Sequence, residues 1–416
     1  MSIDLTYGKK SIKVDIKQPY EIIIPKKIKL KDEKVILKKA FEKPLNSESF
    51  EEFVSRSKRL LFIVNDGTRP TPTSKILDFL YPIISTHKDV NFIVATGSHR
   101  APNEKEFRFI FGKYYEIYKE KIFVHDAKNE KNLRYYGKTS RGTEVSFNKL
   151  VHEIGNIVLI NSVEPHYFAG YTGGRKSFLP GVASYKTIEM NHKFALSEDS
   201  CTLGLKGNPV HEDMVEAIKF LGDMRIFSIQ IVLTPSGNIY QVTTGNLNDS
   251  FFKAIDYANE IFCVPLRKKG NIVITVAAPP GDIDLYQSQK TLENGKPALK
   301  EDGVIILVSQ CPGGIGDKVF FDLLSRASEP SEVLGFLKNE YKLGYHKAAK
   351  IAELKMKSEI WAVTDLDETL VKKAMLKPYS NIQKAVDDAI NLIESKGEKP
   401  SIVVMPFGNL TVPKIT

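Results

Sequence analysis

Apolar and polar positions change rhythm several times along the chain. Over the first 30 residues they alternate, as in Ile12-Lys13-Val14-Asp15-Ile16 and around Ile22-Ile23-Ile24, which predicts the strands of a small β layer. Leu60 to Val64 is instead a short, nearly continuous apolar run, the pattern of a strand buried on both faces. It ends in Asp66-Gly67-Thr68-Arg69-Pro70, and a helical pattern follows over Thr73 to Ile84. Val90 to Ala95 is a second such strand, ending in Thr96-Gly97-Ser98-His99-Arg100, with a helix after Pro102 through Phe111. Ile157 to Ile160 is a third, ending in Glu164-Pro165-His166. Strand, polar loop and helix in repetition predict an α/β fold with mainly parallel sheets.

Two hairpins interrupt the repetition, Tyr135 to Leu150 turning at Arg141-Gly142 and Ile226 to Val242 turning at Pro235-Ser236-Gly237-Asn238. Ser250 to Phe262 reads as a helix. The charged, turn-rich stretch Pro265–Gly270 then separates it from a second α/β run with strands at Ile272 to Ala277 and Val304 to Ser309. The expectation is therefore two α/β domains, residues 1–268 and 269–397. The last strand, Ser401 to Met405, stands after a long helix from Ile382 to Lys396, and segment 398–416 is expected to rejoin the first domain.

In open parallel sheets, ligands bind at the carboxyl ends of the strands. Three successive strands here end in functional loops: Asp66, Thr68 and Arg69 on the first, Thr96, His99 and Arg100 on the second, and Glu164 and His166 on the third. The third loop runs on through Gly173-Gly174-Arg175-Lys176, where glycines would let a ligand approach the backbone and two cations suit an anion. The spacing is neither that of a P-loop nor that of a dinucleotide-binding turn. His99 and His166 are candidates for acid/base work. His192, on a helix, reads as either a metal ligand or a buried polar group, and spacing does not decide between them. Asp365-Leu366-Asp367-Glu368-Thr369 matches a phosphatase nucleophile loop but lies too near the chain's end. It reads as a helix cap. Trp361 reads as core.

Composition narrows the function classes. The chain has 416 residues, 42% hydrophobic and 26% charged, an ordinary globular balance. Lysine and arginine exceed aspartate and glutamate by 59 to 50, a net charge of +9, but in scattered pairs without a basic block. Nucleic acid is therefore not an expected partner. Three cysteines point to a reducing compartment, and no apolar stretch or leader pattern is seen, so the expectation is a cytoplasmic protein without membrane association.

The ordered set D-G-T-R-P at 66–70, T-G-S-H-R at 96–100, E-P-H-Y-F-A-G-Y-T-G-G-R-K at 164–176, N-H at 191–192, G-N-P-V-H-E-D-M at 207–214 and Y-Q-S-Q-K at 286–290 resembles the nickel-dependent lactate racemase family. The matches span most of the chain, and the E-P-H…G-G-R-K block is the specific one. The resemblance implies two α/β domains with the active-site cleft between them, the first binding a cofactor and the second closing over it. The cofactor implied is pyridinium-3-thioamide-5-thiocarboxylic acid mononucleotide, a nickel-pincer nucleotide that Lys176 can tether. It further implies His192 as the nickel ligand and His99 and His166 as the acid/base pair. Asp66, Thr68, Gly173, Gly174 and Arg175 become cofactor contacts; Arg69, Gln287 and Lys290 become substrate contacts. Proteins that build the cofactor are implied partners.

The chemistry agrees with this resemblance. The α C–H of a 2-hydroxy acid is a very weak acid beside an anionic carboxylate. Hydride removal gives a stable keto acid if a base takes the hydroxyl proton, and two enantiomers present that hydroxyl in two places. The expectation is a racemase or epimerase of a small anionic 2-hydroxy acid, by default lactate. The alternative is a non-catalytic cofactor- or carboxylate-binding protein of the same fold.

Overall fold

The computed structural model describes residues 2–26 and 28–416. The chain divides into two compact units, Ile28–Glu260 and Met1–Lys27 together with Ile261–Thr416.

The first unit is built on a six-stranded sheet. Its strands, edge to edge, are Ile239–Gly245, Arg225–Leu233, Asn156–Ser162, Leu60–Asn65, Val90–Ala95 and Ile122–Val124. All pair in parallel except Ile239–Gly245, which folds back antiparallel on Arg225–Leu233. The apolar run predicted a strand covered on both faces, and Leu60 to Val64 are all buried. On one face Phe41, Phe50 and Phe53 pack around Phe227 at centroid separations of 5.1–6.1 Å. The helix Thr73–Ile84 lays Ile76, Leu77, Leu80 and Ile84 against the same core. In chain order the strands stand 6-5-4-1-2-3, so Leu60–Asn65 and Asn156–Ser162 are neighbours from which the chain winds in opposite directions. That reversal is where an open α/β sheet forms its binding crevice.

The second unit carries a six-stranded, all-parallel sheet: Lys377–Tyr379, Glu359–Val363, Leu299–Val308, Gly270–Val276, Ile402–Met405 and Tyr20–Ile22. The strand Ile402–Met405 does not rejoin the first domain. It lies between Gly270–Val276 and Tyr20–Ile22, and Val412–Ile415 pairs with Cys263–Leu266. Ile-Val-Val-Met is buried at every position, so it needs cover on both faces, and here it also has a parallel neighbour on each side. The first 27 residues also belong here. The hairpin of Ser2–Tyr7 and Lys10–Asp15 covers this unit's core through Ile3, Leu5 and Val14. The boundary falls at residues 260 and 261, inside the helix Leu247–Phe262, rather than in the charged stretch that follows. Trp361 is buried and stacks on Tyr379 at 5.1 Å, as core. Asp367 caps the helix Glu368–Lys373 by accepting from the Thr369 N–H, the role its loop predicted.

Candidate active site

The two loops at the chain reversal face each other. After Leu60–Asn65, the chain turns at Asp66, whose Oδ1 accepts from Thr68 N (3.2 Å) and Thr68 Oγ1 (2.6 Å). This Asx-type turn returns Arg69 toward the loop after Asn156–Ser162, where its guanidinium pairs with Glu164 at 3.3 Å. From the next strand end comes His99, with Nδ1 2.8 Å from Asp66 Oδ2. Asp66 is buried and His99 half-exposed. Burial pushes the Asp66 carboxyl up. The hydrogen bond and charge of His99, with help from Thr68 and Arg69, outweigh it and hold the group below the usual carboxylate range.

Past Glu164 the chain packs three further expected residues around one ring. Phe168 lies edge-on to His166 at 4.6 Å and to His192 at 5.0 Å, and the Lys176 ammonium stands 5.4 Å from its centroid. The backbone N–H of Ala169 donates to His166 Nδ1 at 3.3 Å. His192 comes from the helix Tyr185–Lys193, capped by Ser184. It is buried, and burial, reinforced by the Lys176 charge, lowers its pKa to about 3. His192 is thus a neutral imidazole, the form that binds a metal. Among the described residues, no group of three or more His, Cys, Asp or Glu could hold a metal ion.

The N-terminal and C-terminal domain models of lactate racemase match residues 7–204 and 266–412. The chain belongs to the lactate racemase family. Lactate racemases from Thermoanaerobacterium thermosaccharolyticum and Lactiplantibacillus plantarum are 28% and 27% identical to it, each match covering 98% of both chains. The solved apoprotein of the Thermoanaerobacterium lactate racemase covers 100% of both chains with a TM-score of 0.90 at 28% identity. A Thermotoga maritima protein shares the fold, with a TM-score of 0.70 at 16% identity over 92% of this chain and 98% of its own. Membership in the lactate racemase family supports a racemase function.

Within this member of the family, three expectations change their meaning. Arg175, expected on an anion, is buried. Its Nη2 donates to the carbonyls of Ala169 (2.6 Å) and Tyr171 (3.2 Å), and its plane lies 4.6 Å from the Phe251 ring. Desolvation lowers its pKa to about 9. Nη2 thus closes the loop, while Nε and Nη1 are buried without a hydrogen-bond partner among the described residues. Gly173 and Gly174 are tight against protein on the side that a side chain would occupy. A Cβ on Gly173, at φ +83°, would stand 2.5 Å from Val163 Cγ2, and one on Gly174 would stand 2.9 Å from the Phe251 ring. The Gly174 N–H already donates to Gln230 Oε1 at 2.9 Å. Asp66 and Thr68, expected on the cofactor, partner His99 and each other.

Gln287 and Lys290 sit on the helix Leu285–Gly295 of the second unit, with Lys290 Nζ donating to Gln287 Oε1 at 2.7 Å. Asp284 caps that helix, and the buried Lys347 ties it through the Tyr286 carbonyl at 2.6 Å. Glu164 as an ion-pair partner, Phe168 as a hub and Lys347 were not expected from the sequence. The E-P-H-Y-F run and the D-G-T-R-P motif, each directly after a strand, were the available signal for the first two. Lys347 carries no motif.

Proposed function

We propose that the chain is a racemase of a small 2-hydroxy acid, lactate by default, working in the cytoplasm with a nickel-pincer nucleotide. The observation that carries this reading is the buried Asp66 on Nδ1 of the half-exposed His99. An ionised carboxylate only accepts, so Nδ1 carries a hydrogen, and in the neutral ring Nε2 is the base. Binding alone would not need an oriented base.

When bound, the cofactor would supply a reversible hydride acceptor for carbon 2. His99 takes the hydroxyl proton at Nε2, and Asp66 stabilises the imidazolium that results. His166 Nδ1 accepts from the Ala169 N–H at rest, which leaves the ring hydrogen on Nε2. To protonate the alkoxide formed when hydride returns, His166 must enter as the imidazolium and end neutral. For the opposite enantiomer the two histidines exchange roles. His166 then needs its hydrogen on Nδ1, and the 3.3 Å contact with Ala169 must open. Arg69, steadied by Glu164, is the carboxylate contact of the first unit. The substrate roles of Gln287 and Lys290 belong to the same proposal. Lys176 and His192, both against Phe168, are the residues that would hold the cofactor and its nickel. Imidazole suits nickel, and a lysine beside it suits a covalent tether.

Cofactor-loaded protein should interconvert D- and L-lactate, read by chiral chromatography. His99→Ala and His166→Ala should lose activity while retaining nickel, and His192→Ala should lose the metal. Failure to exchange the α-hydrogen of any of a panel of 2-hydroxy acids would overturn the enzymatic reading.

A further inference from the structure

Behind His192 lies a buried polar chain that the racemase chemistry does not itself use. It begins at Asp213, a fully buried residue on the helix Pro209–Lys219, within the G-N-P-V-H-E-D-M motif. Its Oδ1 accepts from Thr139 Oγ1 at 2.6 Å, and its Oδ2 accepts from Thr143 Oγ1 at 2.9 Å and Asn191 Nδ2 at 2.8 Å. Both threonines belong to the turn between the strands Leu133–Lys138 and Glu144–Asn148, so two separate elements anchor this carboxylate. Asn191 is itself fully buried, and its Nδ2 also donates to the Val210 carbonyl at 3.2 Å.

These contacts decide a proton position one residue further on. The Asn191 amide has a donor end and an acceptor end. Its nitrogen end meets a carboxylate and a carbonyl, neither of which can donate, so the amide cannot be turned round. Its Oδ1 therefore faces His192 Nδ1, at 3.2 Å. An amide oxygen only accepts, so Nδ1 carries a hydrogen, and the nitrogen that can offer a lone pair to a metal is Nε2.

We propose that Asp213, acting through Asn191, is a positioning residue that holds the His192 proton on Nδ1 and so makes Nε2 the metal-donor nitrogen. The tautomer follows from the hydrogen bonds themselves; the metal role rests on the function proposed above. Metal-binding histidines commonly donate their second ring N–H to an oxygen, which fixes the ring and raises the basicity of the donor nitrogen. Here that oxygen is an amide held by a carboxylate, and the two motifs N-H and H-E-D-M are physically one device.

The test is a long-range 1H–15N spectrum of the full-length chain labelled with 15N-histidine, with His192→Gln identifying the signal. Wild type is expected to show a pyrrole-type Nδ1 and a pyridine-type Nε2. Asn191→Leu, which removes the acceptor, should move the hydrogen to Nε2 or average it over both nitrogens. Nickel retention by cofactor-loaded Asn191→Leu should fall by about 10-fold or more. An Nε2–H tautomer in the wild-type chain would overturn the relay without any variant having to fold, and so would an unchanged pattern in folded Asn191→Leu. Failure of the metal reading looks different: His192→Ala would then hold as much nickel as wild type while the wild-type tautomer stayed on Nδ1.

Discussion

Replacing Asp66 with asparagine tests the base assignment through hydrogen-bond logic alone. Asp66 receives three donors, Thr68 N and Thr68 Oγ1 on Oδ1 and His99 Nδ1 on Oδ2. Asparagine offers one oxygen. The Thr68 backbone N–H can only donate, so it keeps that oxygen and leaves Nδ2 toward His99. An amide N–H₂ also only donates, so His99 Nδ1 becomes an acceptor and the ring hydrogen moves to Nε2. The base is then lost by change of tautomer, with the geometry almost unchanged. General-base catalysis contributes about 10²–10⁴-fold, and the wrong tautomer in a buried serine-protease triad costs about 10⁴-fold. His99 is 51% exposed and can turn toward water, so the lower part of that range applies. The expected loss is about 10²–10³-fold in kcat/KM, or roughly 3–4 kcal/mol of transition-state stabilisation. The assay follows both directions of lactate interconversion on cofactor-loaded protein, with nickel content measured alongside. Both directions must fall together, because the equilibrium between enantiomers is independent of the enzyme. A loss below about tenfold at full nickel content would refute the reasoning.

Gly173→Ala should destabilise the first unit by about 2–5 kcal/mol, from a backbone region that side chains avoid and from overpacking against Val163. A urea midpoint shift worth less than about 1 kcal/mol would show that the loop has room. His211 is buried, its Nδ1 has no partner, and burial with the nearby Arg175 charge lowers its pKa to about 3. The unfolded chain therefore binds a proton that the native chain refuses. Stability is fully present above the ordinary histidine value and is lost progressively as pH falls toward 3. At pH 5 this one group should cost about 2 kcal/mol, and His211→Gln should flatten that part of a stability-versus-pH curve measured by urea unfolding. An identical slope in the variant would reject the assignment.

Local pattern determined most of the elements. The helix Thr73–Ile84, the strand Val90–Ala95 and the Asp367 cap are where period and capping chemistry put them, because each depends on residues within a few positions. The candidate site was legible for a related reason. Parallel strands deliver their following loops to one sheet edge, so functional residues directly after strands, Asp66, His99 and His166, arrive at the same edge wherever the helices run.

What the tertiary structure decided were long-range partners. Tyr20–Ile22 completes a sheet whose other strands begin some 250 residues later, and Ile402–Met405 enters that sheet's interior. No periodicity encodes which sheet a buried strand joins. Side-chain roles were decided the same way. Arg175 and Lys176 are adjacent and both basic, yet one is turned into the loop's own carbonyls and the other stands against Phe168. Asp213, Asn191 and Thr139 are far apart in the chain, and only packing joins them into a path that ends at His192. A hydrogen bond is a matter of ångströms and direction, and the sequence holds neither until the fold supplies them.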